Sequence, residues 1–142
     1  MDEKLKQAFH SQIEKEPFAS RFGMKLLEIR DGYSKVGMIF RPDMKNMIGI
    51  AHGGALFALI DEAFETASNS HGTVAVGLNM NVTYVASPEL GSFLTAEALE
   101  VSLDRETASY DIKVHDERGG LIATCVALVY RKGRPLPFMD EK

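Results

Sequence analysis

With 142 residues, 45% of them hydrophobic and 25% charged, the chain has the length of one domain and the composition of an ordinary packed core, which excludes a disordered polymer and a membrane-embedded bundle. Its formal net charge of -4 excludes the general attraction for phosphate polymers on which nucleic-acid binding rests. One cysteine, Cys125, forbids an internal disulfide, and the charged N-terminal stretch lacks the apolar run of a signal peptide, so the cytoplasm is the expected location.

From the N-terminus, Asp2 to Glu14 carries Leu5, Ala8, Phe9 and Ile13 at helical spacing, which predicts a short amphipathic helix ending before Pro17. Lys25 to Arg30 and Tyr33 to Phe40 read as two strands joined at Asp31-Gly32, a pair suited to a tight hairpin. Ala51 to Ser70 opens with His52-Gly53-Gly54, is rich in Ala, Leu and Phe and lacks proline, the pattern of one long helix. On a projection of about 100° per residue, Leu56, Leu59, Ile60, Ala63, Phe64 and Ala67 form a broad apolar arc. Glu62, Glu65, Thr66 and Asn69 lie opposite and read as a solvated face.

The period then changes to two. Val74 to Tyr84 alternates as a long strand, and three more follow, separated at Pro88 to Gly91, Asp104-Arg105 and Arg118-Gly119-Gly120. In Phe93 to Leu103 the apolar phase switches near Ala98 and Leu99, which predicts a bulge. Ala108, Tyr110, Ile112 and Val114 alternate cleanly, whereas Leu121 to Tyr130 is apolar on both faces and reads as a central strand covered twice. Strands longer than the helix they follow pack most economically as a curved antiparallel sheet wrapped round it. The expected class is therefore α+β, one domain over residues 1–142, with a helical flank (1–20), a core (21–132) and a tail (133–142). A helix covered on one side by its own sheet invites a second subunit.

The densest chemical signal is Asn46, His52-Gly53-Gly54 and, farther along the helix, Asp61. Two glycines at a helix start let the backbone bend closely and leave the first N–H groups at the positive end of the dipole. The Gly53 N–H can then stabilise a developing oxyanion, although Gly-Gly serves equally to cap a structural helix. Asp61 straddles the two arcs, beside Phe57 and Phe64. A carboxylate against apolar neighbours suits a general base or nucleophile, while in isolation it is the edge of a solvated face. His52 can donate, orient the turn or cap the helix. His10, His71 and His115 lack metal-ligand spacing, so no metal is expected, and Cys125 reads as core rather than nucleophile. Arg131, Lys132 and Arg134 are either a solvated strand end or a cluster able to meet the phosphates of one small molecule. A phosphate loop, a dinucleotide fingerprint and a Gly-x-Ser-x-Gly elbow are all missing.

Together, Asn46, His52-Gly53-Gly54, Asp61 and Gly77-Leu-Asn-Met-Asn-Val-Thr-Tyr84 resemble the hotdog-fold thioesterases of the phenylacetate-degradation type, over about Phe22 to Tyr130. The resemblance implies hydrolysis of an acyl- or aryl-coenzyme A thioester, with coenzyme A as part of the substrate and no separate cofactor. It gives the Gly53 amide to the thioester carbonyl, Asp61 to water activation or direct attack, Asn46 to positioning and His52 to loop support. It also implies sites shared across a homodimer, so that Asn46 and Gly53 face Asp61 of the partner, and dimers paired into tetramers. Relatives often carry a hydroxyl residue where this chain has Gly77, which puts that assistance to water in doubt and leaves room for a larger acyl group. Gly54, Gly77, Arg131 and Lys132 are the candidate substrate contacts. The same fold also accommodates an acyl-CoA-binding protein without turnover or a hydroxyacyl-thioester dehydratase.

Overall fold

The structure is a computed structural model that describes residues 1–139. Helices α1 (Glu3–Lys15) and α2 (Pro17–Arg21) precede strands β1 (Lys25–Arg30) and β2 (Tyr33–Ile39). Helix α3 (Gly53–Asn69) follows a single 3-10 turn, and β3 (Thr73–Tyr84), β4 (Phe93–Leu103), β5 (Thr107–His115) and β6 (Leu121–Pro135) complete one antiparallel sheet. The order across the sheet is β1-β2-β4-β5-β6-β3. This is the long helix and curved sheet anticipated from the alternation of periods.

The core lies between α3 and the inward face of the sheet. Leu59, Ile60, Ala63 and Ala67 are wholly buried on the helix, against Val36 and Met38 of β2, Ala96 and Ala98 of β4, and Tyr110, Ile112 and Val114 of β5. Each large aliphatic side chain withdrawn in this way contributes about 1.5–3 kcal/mol. Phe64 meets Tyr110 edge-on with ring centroids 5.7 Å apart, which fixes the helix rotation relative to the sheet. That rotation decides which helical residues face outward and hence where Asp61 stands.

Several expectations need correction. Leu121 to Tyr130 is not central: β6 is second from the margin, and Val126, Leu128 and Tyr130 on its outer face are exposed. Apolarity on both faces marked a strand covered on one side only within this chain. The strand also runs past the expected core boundary, because Thr73 pairs with Pro135. Beyond it Leu136 is buried and Phe138 packs edge-on against Phe9 at 5.4 Å. Part of the expected tail is therefore structural, and residues 140–142 lie outside the described residues. The irregularity in β4 falls between Glu100 and Ser102 on the β5 side, slightly later than the phase switch implied. Ala98 ends the buried series there, and Glu100 takes the next inward position, where its Oε1 accepts from the Tyr110 hydroxyl at 2.9 Å.

The polar arc of α3 is only in part a solvated face, with Glu65 exposed. Glu62 is only 3% exposed, and Thr66 is buried with its hydroxyl bonded to Ser34 Oγ at 2.6 Å and to the Glu62 carbonyl at 2.9 Å. The cause is distant in sequence: α1 and the Glu16-Pro17 junction stand over this arc across a cavity. Pro17 at the first turn of α2, where its missing N–H costs nothing, sets that junction. Helix α2 itself is too short to register as a periodic pattern.

Candidate active site

Helix α3 begins in a tightly organised mouth. The Asn46 backbone N–H donates to the Ile50 carbonyl at 2.7 Å, and Asn46 Oδ1 accepts from the N–H groups of Ile48 at 3.0 Å and Ile50 at 3.2 Å. These bonds close a loop and orient the carboxamide: its oxygen is committed, so Nδ2 is the end free to donate outward. His52 is then anchored by its own N–H on the Met44 carbonyl at 2.8 Å. Its Nδ1 accepts from the Gly54 N–H at 2.8 Å, so the imidazole is the side-chain cap of α3. An accepting Nδ1 places the proton of a neutral ring on Nε2.

This cap selects which helix donors remain. The Gly54 N–H is taken by the imidazole and the Ala55 N–H by the His52 carbonyl at 3.0 Å. Among the described residues the Gly53 N–H has no acceptor, and it lies at the positive end of the helix dipole. Gly54 was a candidate substrate contact; its amide is spent inside the cap. Tyr84, not singled out in the sequence, braces the other side. Its hydroxyl donates to the Gly53 carbonyl at 3.1 Å, and its ring lies 3.2 Å from where a Gly53 Cβ would stand. A side chain at position 53 would press on the Tyr84 ring, which must then give by a few tenths of an ångström. Asn46, Gly53 and Tyr84 line one cavity of about 350 Å³ with Ile50, Leu56 and Val85.

Asp61 does not line that cavity. It lies about two turns, roughly 12 Å, farther along α3, exposed at the margin of the buried face. Withdrawal of its carboxylate from water by crowding neighbours, and secondarily the charge of Glu16, raise its pKa above the ordinary aspartate value. Within the chain the Gly53 amide and the Asp61 carboxylate therefore do not meet. The strand beside them, β3, pairs only with β6, and most of it is exposed, including Asn79, Asn81 and Thr83.

Comparison with known proteins places the chain in a family. Residues 48–123 match the family model described as Thioesterase superfamily, slightly more than half the chain. The acyl-coenzyme A thioesterase PaaI of Escherichia coli is 30% identical over 123 residues, which cover 87% of this chain and 88% of that protein. The chain belongs to the thioesterase superfamily. It is a PaaI-like hotdog member and a thioester hydrolase. The E. coli PaaI structure superposes with a TM-score of 0.88 at 29% identity, covering 93% of this chain and 96% of that one. A mutant structure of the phenylacetic acid degradation protein PaaI from Thermus thermophilus gives 0.78 at 39% identity, covering 82% and 99%. A thioesterase protein from Streptococcus pneumoniae, solved with coenzyme A, gives 0.78 at 25% identity, covering 82% and 92%.

Other candidate positions in this thioesterase have local explanations. A Cβ at Gly77 would lie 3.2 Å from Phe64 Cε1, so the space expected there for a larger acyl group is already bounded by an aromatic ring. Arg131 spends Nη1 on the Asp104 carbonyl at 2.7 Å and its backbone N–H on the Glu106 carbonyl, clamping the β4–β5 turn. Lys132 is exposed, and neither residue lines the Asn46–Gly53 cavity. Cys125 is buried, and that burial pushes its thiol pKa up, the reverse of what a nucleophile needs. His71 Nε2 lies 2.8 Å from Glu100 Oε1 at the far end of α3, joining the helix terminus to the sheet. Among the described residues, no helix is long and apolar enough to cross a membrane.

The second notable cluster is acidic. One carboxylate oxygen from each of Glu16, Glu62 and Glu65 lies within 4.8 Å of the others. The three line a larger cavity of about 490 Å³ walled by Phe9, Ile13, Val74 and Leu136. Burial first, then contact with the Glu16 and Glu65 carboxylates, holds Glu62 far above the usual carboxylate range. Glu65 is raised by the same crowding and by the charge of Glu16.

Proposed function

We propose that this thioesterase hydrolyses acyl- or aryl-CoA thioesters at a site assembled from two protomers. The observation that carries the proposal is the Gly53 amide, left without an acceptor at the mouth of α3 and sharing a cavity with the free Nδ2 of Asn46. A thioester carbonyl placed there accepts from Gly53, with Asn46 Nδ2 positioned to donate to the same oxygen or to the attacking water. Charge that develops on oxygen as carbon becomes tetrahedral is met by an amide already oriented, an effect worth about 3–4 kcal/mol per donor in comparable sites.

Asp61 of the partner subunit supplies the opposing carboxylate. Its raised pKa makes it a stronger base than an ordinary aspartate. As base it takes a proton from water, whose oxygen bonds to the carbonyl carbon. As nucleophile it forms an anhydride that water then opens. In either course the carbon–sulfur bond breaks, the thiolate leaves and is protonated, and a free acid remains.

Support for two-protomer assembly comes from β3, an edge strand whose outward backbone groups are available for pairing with a second copy. Coenzyme A as the thiol is supported by the E. coli relative's described activity and by the pneumococcal structure with coenzyme A. The exposed apolar side chains of the outer sheet face, Leu99, Val101, Val126 and Leu128 among them, suit the further pairing of dimers. The test is free-thiol release from a panel of CoA thioesters, short aliphatic to long aliphatic to aromatic. Turnover of at least one member by the wild type and its loss in Asp61→Asn are expected; coenzyme A binding with no thiol release from any of them would establish a carrier instead.

A further inference from the structure

The larger cavity contains a feature that thioester hydrolysis as such does not use. Glu62 is 97% withdrawn from solvent relative to an exposed residue (3% exposed), and its Oε1 is buried without a hydrogen-bond partner. Glu62 lines the cavity between α1 and α3 together with Glu16 and Glu65. Lys15 and Arg134 line the same wall. Among the described residues neither forms an ion pair with any of the three carboxylates. Three acidic groups thus converge without an ion-paired cation among the described residues, a placement that is costly unless a cation or donor meets it.

The size of the cavity favours an organic cation over a bare ion. The carboxylate oxygens all lie within 4.8 Å of one another, close enough to converge on one tetrahedral nitrogen, whose acceptors at about 2.8 Å stand up to roughly 4.6 Å apart. A primary ammonium has one N–H for each. About 490 Å³ bounded by Phe9, Ile13, Pro17, Val74, Leu136 and Phe138 is far more than a metal ion needs, and it matches an apolar body attached to the charged head. The cavity also adjoins the carboxylate half-site: Glu65 is one turn, about 5.4 Å, beyond Asp61, and the charges of Asp61 and Glu16 act on one another.

We propose that this cavity receives the far end of the acyl group and that Glu16, Glu62 and Glu65 select an acyl or aryl group ending in a primary ammonium. The inference rests on the proposed thioester hydrolysis, since it places the acyl body between Asp61 and the acidic cluster.

The test compares 4-(aminomethyl)benzoyl-CoA with 4-methylbenzoyl-CoA, which match in shape and differ in the terminal amine. Wild-type kcat/KM is expected to favour the amine at least tenfold, mainly through KM. Glu62→Gln and Glu65→Gln should each bring the ratio toward unity, with circular dichroism checking the fold; exposed Glu65 is the safer substitution if the buried site fails to fold. In parallel, calorimetry titrates 4-methylbenzylamine into the protein, with saturable binding lost in Glu65→Gln as the expected result. Hydrolysis of both thioesters with equal kcat/KM overturns the ammonium selection and leaves the hydrolase intact. Hydrolysis of neither, while another CoA thioester is turned over, overturns the acyl assignment and leaves the hydrolase intact; hydrolysis of no thioester at all defeats the thioesterase proposal, and the amine titration then decides whether the cavity holds ammonium. Stoichiometric Mg²⁺ or Mn²⁺ binding that excludes the amine also overturns the inference.

Discussion

At the scale of single residues, the helix mouth works by elimination. His52 uses the Gly54 amide and the first helical turn uses the Ala55 amide, so one donor, that of Gly53, is left to the substrate. The carboxylate proposed to work with it is Asp61, and Asp61→Asn is expected to lower kcat by about a hundredfold or more with KM little changed; steady-state kinetics on the best thioester of the panel checks this. Because the Asp61 pKa is raised, the acidic limb of kcat/KM should fall above the ordinary aspartate value of about 3.9. The rate declines as pH drops through that raised value, since the base is lost by protonation. An acidic limb at or below 3.9 in a pH–rate profile would contradict it. Tyr84→Phe removes the bond to the Gly53 carbonyl and should slow kcat several-fold, in line with about 0.5–1.5 kcal/mol for one hydrogen bond. That Asn46, His52 and Gly53 gather at the helix mouth was legible from sequence because their spacing is local. Tyr84 was not, since only the return of β3 brings it against Gly53.

At the scale of elements, α3 links the chemistry to the core. Its cap is local, so His52→Ala should cost about 1 kcal/mol of stability and also release the Gly54 amide; a denaturant midpoint unchanged from wild type would show the cap to be energetically idle. The acidic arc behaves differently. A carboxyl whose folded pKa is raised contributes stability that is complete below its unfolded value of about 4.3 and is lost as pH climbs toward the folded value. Glu62→Gln removes that penalty, so without added ligand its Tm should exceed wild type, and the gain should be larger at pH 8 than at pH 5. Equal gains at both values would show that ionisation of Glu62 is not the cause. The helix, the hairpin and all six strands could be read from periodicity because each is a local pattern. The fate of the polar arc could not, because it depends on α1, some fifty residues earlier, and on a junction at Pro17 too short to be periodic.

At the scale of the whole molecule, the two halves of the proposed site lie roughly 12 Å apart along one helix, and the proposal takes them from different chains. Mixing inactive Asp61→Asn with inactive Asn46→Ala protomers should therefore restore about a quarter of the sites after random reassociation, measured as thiol release. A mixture no more active than its components would place both halves in one chain. Strand order was hidden at this scale: the apolar outer face of β6 looked like a buried centre because local pattern does not distinguish cover by the same chain from cover by another. The sheet also has two unlike margins. On one side β3 offers twelve residues of open ladder. On the other, β1 is six residues long, carries Lys25, Glu28 and Arg30, and breaks register between Leu26 and Glu28. Charge and irregularity make that border a poor template. A twofold union through β3 would consume the only inviting border each copy has, so growth by strand addition terminates after a single step and no fibre can propagate from it.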